Sequence, residues 1–97
     1  MMGDDIDFSV DYARIQTIVA VQNQNKTLLS DANDRFKRNY TKSPEHTLNL
    51  QNWAILFFYT GHYEEAWQKI KLAELTPRRG ELDPQFLKLL QSKLSRP

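Results

Sequence analysis

The chain has 97 residues and no cysteine, and its 13 Lys and Arg residues nearly balance 12 Asp and Glu residues, for a net charge of +1. This length predicts one domain. The absence of cysteine excludes a disulfide framework or a thiolate metal site. A dedicated nucleic-acid binder usually carries a larger basic excess. The start "MMGDDIDFSV" lacks the basic and apolar regions of a secretory signal, and no stretch has the roughly 18 apolar residues of a membrane span. We expect a cytoplasmic protein.

Helical spacing dominates the first half of the chain, and strand signals are weak. The first predicted helix covers residues 12–21, with small packing residues at Ala13 and Ala20. Its apolar stripe is predicted to comprise Tyr12, Ile15, Ile18 and Val19. Thr27 is a candidate cap for the second helix, whose apolar positions are Leu28, Leu29, Ala32, Phe36 and Tyr40. That helix should end before Pro44, because proline lacks the N–H that a helix interior needs.

Three further helices are predicted after Pro44. Residues 48–59 are apolar on almost every side, which is typical of a buried central helix. Gly61 interrupts the pattern, and residues 63–75 form a fourth segment. Asp83 and Pro84 are typical of a helix start, with aspartate as the N-cap and proline in the first turn. The sequence therefore predicts an all-α fold of five helices.

Similar residues recur 34 positions apart, which indicates an internal repeat. The matched pairs are Ala20 and Ala54, Ala32 and Ala66, Phe36 and Ile70, Val19 and Trp53, and Leu29 and Tyr63, while Pro44 and Pro77 are 33 apart. A period of 34 residues is the length of a tetratricopeptide repeat, which is a helix–turn–helix unit. Such units bury their apolar faces by stacking, so the ends of an array need caps.

The second unit resembles the tetratricopeptide repeat (TPR) family in two strings, "LQNWAILF" at 50–57 and "GHYEEA" at 61–66. Leu50, Trp53, Ala54 and Phe57 stand at the family's packing positions of the first helix. Gly61, Tyr63 and Ala66 stand at the turn and the start of the second helix, and Ile70, Ala73 and Pro77 continue the pattern, one residue short before the proline. The first unit departs further, since Asn23 replaces an aromatic residue and Thr27 replaces the turn glycine.

The resemblance covers about residues 13–80 and implies two antiparallel helix pairs, repeat 1 at about 13–46 and repeat 2 at about 47–80. A capping helix at about 83–95 would close them into a short right-handed α-solenoid, one domain over residues 1–97. In this family the first helices of the pairs line the usual ligand groove. The groove residues assigned by helical phase are Arg14, Thr17, Ile18, Val21, Gln24, Leu48, Gln51, Asn52, Ile55, Phe58 and Tyr59.

Ile55, Phe58 and Tyr59 lie outside the packing positions of the repeat, so they are surplus apolar residues of the kind that marks an interface. The alternative is that the last helix or a second copy covers them. TPR co-chaperones that hold acidic C-terminal tails use lysine, asparagine and arginine in this groove. Here only Asn52 is placed like one of them, so an apolar groove for a peptide segment or an amphipathic helix is favoured.

Two other clusters carry possible chemistry. His62, Glu64 and Glu65, with His46, could hold a metal, but zinc sites need three or four converging ligands, and acidic residues are expected in the first turn of any helix. We predict no metal or other cofactor. The run "RFKRNYTK" at 35–42 has four cations and two aromatic residues. A solvated helix face is favoured over an RNA site because the net charge is near zero.

The leading hypothesis is a non-enzymatic protein–protein interaction module, an adaptor or a chaperone-like protein. Small proteins of this kind resemble secretion-system chaperones, which shield an aggregation-prone helix of a partner. Three alternatives stay open: a helical-repeat RNA-binding protein, a self-associating structural subunit, and an enzyme subunit that uses the His62 cluster. Nucleic acid and membrane partners are not expected, whereas a homo-oligomer is compatible with the pattern.

Overall fold

A computed structural model describes residues 5–97 of the chain. The helices are α1 (Ile6–Gln22), α2 (Lys26–Lys42), α3 (Thr47–Tyr59), α4 (Tyr63–Ala73) and α5 (Pro84–Lys93), with a 3₁₀ turn over Arg79–Glu81 before α5. The described residues contain no β-strand. The predicted all-α class and the number of helices are therefore confirmed.

Helix α1 begins earlier than predicted, and it buries the face that carries Ala13 and Ala20, the two residues predicted to pack. The Asp5 carboxylate accepts a hydrogen bond from the Phe8 amide at 3.2 Å, which caps the helix at Ile6. The buried face consists of Val10, Ala13, Thr17 and Ala20. The larger residues of the predicted apolar stripe, Tyr12, Ile15, Ile18 and Val19, are exposed. Val19 therefore does not share the burial of Trp53, with which the 34-residue spacing pairs it. The two fully buried alanines let α1 approach its neighbours closely, and larger side chains on that face would hold the helices apart.

The turn between α1 and α2 also lies earlier than predicted. Asn25, rather than Thr27, is the N-cap of α2, since its side chain accepts a hydrogen bond from the Leu28 amide at 3.0 Å. Gln24 has φ +52° in this turn, and Gly61 has φ +79° in the turn between α3 and α4. The two turns are thus 37 positions apart, although the fully buried pairs such as Ala32 and Ala66 keep the 34-residue spacing.

The predicted unit boundaries therefore need a correction. The first helix pair spans 6–42 and the second spans 47–73, so the boundary placed at about residue 13 falls inside α1. Asparagine caps and a left-handed residue fix the first turn three positions before the place that the 34-residue template assigns.

Contacts between side chains define the directions of the helices. Arg35 donates to Gln16 and Ser9 donates to Asn39, so α2 runs antiparallel to α1. Asn49 and Trp53 of α3 bind Asn39 and Asn33 of α2, respectively, which makes α3 antiparallel to α2. Helices α1 and α3 therefore point the same way. The Asp7 carboxylate joins their N-terminal ends by accepting from the His46 ring at 2.7 Å.

Helix α3 lies at the centre of the molecule, as its composition predicts. Leu50 and Trp53 pack with α1 and α2 in one cluster, while Ala54 packs with α4 and α5 in another. Seven of the 13 residues of α3 are buried. Burial on nearly every side makes this helix the scaffold for any site on its remaining open side.

Helix α5 packs against α3 and α4. Asp83 caps it by accepting from the Gln85 amide at 2.9 Å, and Pro84 occupies the first turn, as predicted. Phe86 and Leu90 are buried in the second cluster. The Trp67 indole donates to the Leu94 carbonyl at 2.8 Å, which fastens the end of α5 to α4.

Candidate partner-binding surface

Seven of the predicted groove residues lie on one open side of α1 and α3, which we call the open face. Along α3, positions 48, 52, 55 and 59 follow each other at spacings of four, three and four residues, so they form one line on the helix. The open face consists of Arg14, Ile18 and Val21 of α1 and Leu48, Asn52, Ile55 and Tyr59 of α3, all exposed or half-buried.

Two predicted groove residues lie inside the protein, and their assignment to the groove is wrong. Thr17 is 2% exposed, and its hydroxyl donates to the Ala13 carbonyl at 2.8 Å. Gln51 is 7% exposed, and its side-chain carbonyl accepts from the Asp83 amide at 2.6 Å. Helical phase assigned both residues to the groove, but each side chain finds a hydrogen-bond partner that allows burial. Gln51 serves to hold the start of α5 against α3.

Phe58 is covered by the last helix, which is the alternative that the sequence left open. Its ring contacts Tyr63 and Phe86 with centroids 5.8 and 5.6 Å apart, both in edge-to-face geometry. These contacts assign Phe58 to the packing of α5. Gln24, which lies in the turn with positive φ, also stands apart from the line of open-face residues.

One half of the open face is apolar. Because α1 and α3 are parallel and aligned at their N-terminal ends, Ile18 and Val21 lie level with Ile55 and Tyr59. Ile18 is 42% exposed and Tyr59 is 56% exposed, whereas Val21 and Ile55 are half-buried. Large apolar side chains that stay exposed at one place favour contact with another molecule.

The other half of the open face is an acidic cleft, which we define by its carboxylates Asp7, Asp11, Glu45 and Glu81. The cleft has a volume of about 420 Å³ and lies between the N-terminal half of α1, the start of α3 and the turn before α5. Leu48 and Asn52 also line it.

Two arginines offset only part of the charge in the acidic cleft. Arg78 bonds to Glu81 with its Nε at 2.6 Å, and Arg14 lies 3.8 Å from Asp11. Four carboxylates therefore face two guanidinium groups, which leaves the cleft negative. None of these four carboxylates was among the residues predicted for the site. Helical phase could have found Asp7 and Asp11, which precede Arg14 on the same side of α1, but Glu45 and Glu81 reach the cleft from turns that no periodicity places.

His46 has a structural role that the sequence did not reveal. It is the N-cap of α3, where its Nδ1 accepts from the Asn49 amide at 3.1 Å. Its Nε2 lies 2.7 Å from the Asp7 carboxylate and donates to it in the matching neutral tautomer. Both ring nitrogens thus connect α3 and α1.

The cluster around His62 lies in the turn and the first turn of α4. The Thr60 hydroxyl lies 2.9 Å from His62 Nδ1, and the His62 ring meets the Phe57 ring edge-on. Glu64 and Glu65 occupy the first turn, where the helix dipole favours negative charge. Within residues 5–97, no group of three or more His, Asp or Glu side chains could hold a metal ion.

The aromatic residues of the basic run at 35–42 are directed into the core. Phe36 is fully buried, and the Tyr40 ring packs against the Trp53 ring at 6.0 Å. The Arg35 guanidinium lies over the Tyr12 ring at 4.5 Å and donates from Nε to Gln16. Base stacking in RNA recognition needs exposed aromatic faces, which this run does not offer.

Among the described residues, none of the helices is both long and apolar enough to cross a membrane. A scan against protein-family models, a search of curated proteins and a search of solved structures each found no match to this chain, so the functional inference rests on the geometry of the open face.

Proposed function

We propose that the protein is a non-enzymatic protein–protein interaction module with a TPR-like arrangement of two helix pairs and a capping helix. The open face of α1 and α3 binds a segment of a partner protein, either an extended peptide or one side of an amphipathic helix. The observation that carries this proposal is the division of the open face into an apolar half and an acidic cleft.

The two halves define the chemistry of the partner. Ile18 and Tyr59 offer contact area for apolar side chains, and Tyr59 combines a large ring with a hydroxyl that can stay in water. The acidic cleft favours a Lys or Arg side chain, or an N-terminal amine, through its excess of carboxylates. A segment with a basic residue at one end and apolar residues at the other fits both halves.

The same charges argue against two other partners. An acidic C-terminal tail would bring its carboxylate toward Asp7, Asp11, Glu45 and Glu81. RNA or DNA would bring phosphates, which proteins bind with Lys and Arg rather than with carboxylates. The adaptor or chaperone role is therefore proposed for a protein segment that carries positive charge.

Selection from a phage-displayed peptide library tests the proposal. Wild-type protein should enrich peptides that pair a basic residue with apolar residues, and their affinities should lie in the micromolar range that is usual for short segments. The double variant Ile18→Ser/Tyr59→Ser should weaken the binding of selected peptides at least tenfold, because it removes the apolar half without touching the core.

The matched control is Leu89→Ser on α5, since Leu89 is 54% exposed and Tyr59 is 56% exposed. Selected peptides should bind this variant as they bind the wild type. If no peptide is enriched, or if Leu89→Ser weakens binding as much as the double variant does, the open face is not the binding surface.

A further inference from the structure

The outer face of α1 carries a line of large apolar side chains that stay exposed in the part of the chain that the structure describes. Phe8 is 67% exposed, Tyr12 is 46%, Ile15 is 52% and Val19 is 37%. They follow each other at spacings of four, three and four residues, which places them on one line about 16 Å long. This line, which we call the α1 seam, lies on the side of the helix opposite Val10, Ala13 and Ala20.

We propose that the α1 seam pairs with the α1 seam of a second copy of this chain, with the two helices antiparallel. Alternating spacings of three and four residues are the pattern by which helices pair side by side. A twofold axis between Tyr12 and Ile15 sets Phe8 of one copy opposite Val19 of the other, and Tyr12 opposite Ile15. At each level a large aromatic ring then meets a smaller aliphatic side chain, which is the condition for close packing.

Charge favours this pairing as well. The net charge of +1 gives two copies little mutual repulsion. Asp11 and Arg14 lie beside the α1 seam, with the Asp11 carboxylate 3.8 Å from the Arg14 guanidinium. In the antiparallel arrangement Asp11 of one copy approaches Arg14 of the other. A parallel arrangement would instead bring Asp11 toward Asp11 and Arg14 toward Arg14.

Contacts within the monomer hold the Tyr12 ring in place. The Arg35 guanidinium lies 4.5 Å from its centroid on the side of α2, and Gln16 fixes that guanidinium through its Nε. The neighbouring Phe8 ring lies 6.3 Å away. A ring held in one position loses little freedom on binding, which makes Tyr12 the anchor of the pairing.

The available area sets the strength of the pair. The exposed parts of the four seam residues amount to about 400 Å², since one exposed aromatic side chain presents about 150–250 Å². Stable interfaces bury about 800 Å² per partner. The α1 seam therefore supplies the apolar centre and the polar residues around it supply the rim, which gives a dimer that forms reversibly with rising concentration. The pairing uses the four seam residues, none of which belongs to the open face. It shares with the open face only the flanking residues Asp11 and Arg14, and it does not depend on the proposed function.

Sedimentation velocity over a range of concentrations tests the pairing. Wild-type protein should shift from monomer toward dimer, and Ile15→Lys should weaken the dimer at least tenfold because it places a charge at the centre of the seam. Leu89→Lys is the matched control, since Leu89 is 54% exposed on α5, and it should leave the dimer unchanged. Circular dichroism of both variants establishes that each one is folded.

The chain has no cysteine, so introduced cysteines report the arrangement directly. A mixture of Phe8→Cys and Val19→Cys proteins should form mixed disulfide dimers under mild oxidation, while each variant alone should remain largely uncrosslinked. A wild type that stays monomeric at every concentration overturns the proposal. A dimer that Ile15→Lys does not weaken also overturns it. So does efficient disulfide crosslinking in a sample that contains the Phe8→Cys protein alone, because that result would indicate a parallel pair.

Discussion

Two residues with positive φ mark the turns inside the helix pairs, and they differ in how well they suit that conformation. Gly61 has φ +79°, and a Cβ added there would meet no atom within 4 Å, so only the backbone conformation favours glycine. Gln24 has φ +52° with a full side chain, in a region that costs an ordinary residue about 1 kcal/mol. The first turn therefore stores strain that the second turn avoids.

Replacement of Gln24 by glycine should stabilise the protein. We expect Gln24→Gly to raise the free energy of unfolding by about 0.5 kcal/mol, since relief of strain exceeds the added freedom of the unfolded chain. Gly61→Ala should lower it by about 1 kcal/mol. Urea denaturation measures both, with Gln68→Gly, inside α4, as a control that should lose about 1 kcal/mol. Equal losses in Gln24→Gly and Gln68→Gly would contradict the assignment of strain to residue 24.

Lys69 gives the protein a defined dependence on alkaline pH. Its ammonium lies 4.2 Å from the centre of the Trp53 ring, and burial lowers its pKa from 10.5, with the charge of Glu65 opposing the change. The folded protein thus releases this proton at a lower pH than the unfolded chain does. The stability of the wild type relative to Lys69→Met should therefore rise as pH increases toward 10.5.

Guanidinium denaturation at a series of pH values from neutral to 10.5 measures this difference. Lys69→Met keeps an apolar side chain over Trp53, so packing changes little, and Lys88→Met on α5 corrects for the loss of one positive charge. A stability difference between wild type and Lys69→Met that moves the other way with pH would show that Lys69 is not desolvated in the folded state.

At the scale of the helices, a buried chain of hydrogen bonds joins three elements. The Ser9 hydroxyl of α1 donates to Asn39 of α2, and the Asn39 amide donates to Asn49 of α3 at 3.1 Å. The Asn49 amide then donates to the Phe36 carbonyl of α2 at 3.1 Å. A fully satisfied buried network of this kind fixes the register of the helices.

Removal of Asn49 should break this network. We expect Asn49→Ala to lower the free energy of unfolding by about 2–3 kcal/mol, because Asn39 and the Phe36 carbonyl lose partners in a place that water does not reach. Asn52→Ala, on the open side of the same helix, should change it by less than about 0.5 kcal/mol. Thermal unfolding measures the stability of the two variants. Equal losses of stability would mean that the buried hydrogen bonds of Asn49 stabilise the protein no more than the exposed side chain of Asn52 does.

The helices and most of the repeated core positions could be predicted from the sequence, as could the packing of Ala13 and Ala20 in α1, but the exposure of the larger apolar residues of α1 could not. Ala20 and Ala54, and Phe36 and Ile70, are buried as their 34-residue spacing indicates. In α1, however, apolar residues occupy both sides of the helix. The helical spacing of the larger ones predicts an apolar stripe on the side that proves to be exposed. The structure buries the side of Ala13 and Ala20 because close approach of helices requires small residues, and the spacing of the larger apolar residues does not reveal that they stay exposed.

The candidate site also has residues that the sequence places and residues that it does not. Ile18, Leu48, Asn52 and Tyr59 share the open face as helical phase indicates. Phe58 could not be placed, because its covering partner Phe86 is 28 positions away on α5. The acidic cleft combines two helices with two turns, and the side chains of turns converge only through the tertiary arrangement.

At the scale of the whole molecule, the two outer sides of the helix array differ. Helix α5 covers α3 and α4, where Phe86 and Leu90 complete the second core cluster. Among residues 5–97 the α1 seam, by contrast, stays exposed apart from the contact of Arg35 with the Tyr12 ring. The molecule therefore has one side that α5 covers, the α1 seam that is proposed to pair with a second copy, and the open face that is proposed to bind another protein.

The charge of the acidic cleft leads to a final prediction about the proposed partner segment. Glu45→Gln/Glu81→Gln should weaken selected basic peptides at least fivefold and reduce the dependence of their affinity on salt, because attraction between exposed charges is screened by ions. The control Asp34→Asn/Glu64→Gln removes the same charge from exposed sites on α2 and α4 and should leave binding unchanged. Isothermal titration at low and high salt measures both variants. Equal losses in the two would assign the attraction to the total charge of the protein, and tighter binding in the cleft variant would overturn the preference for a basic segment.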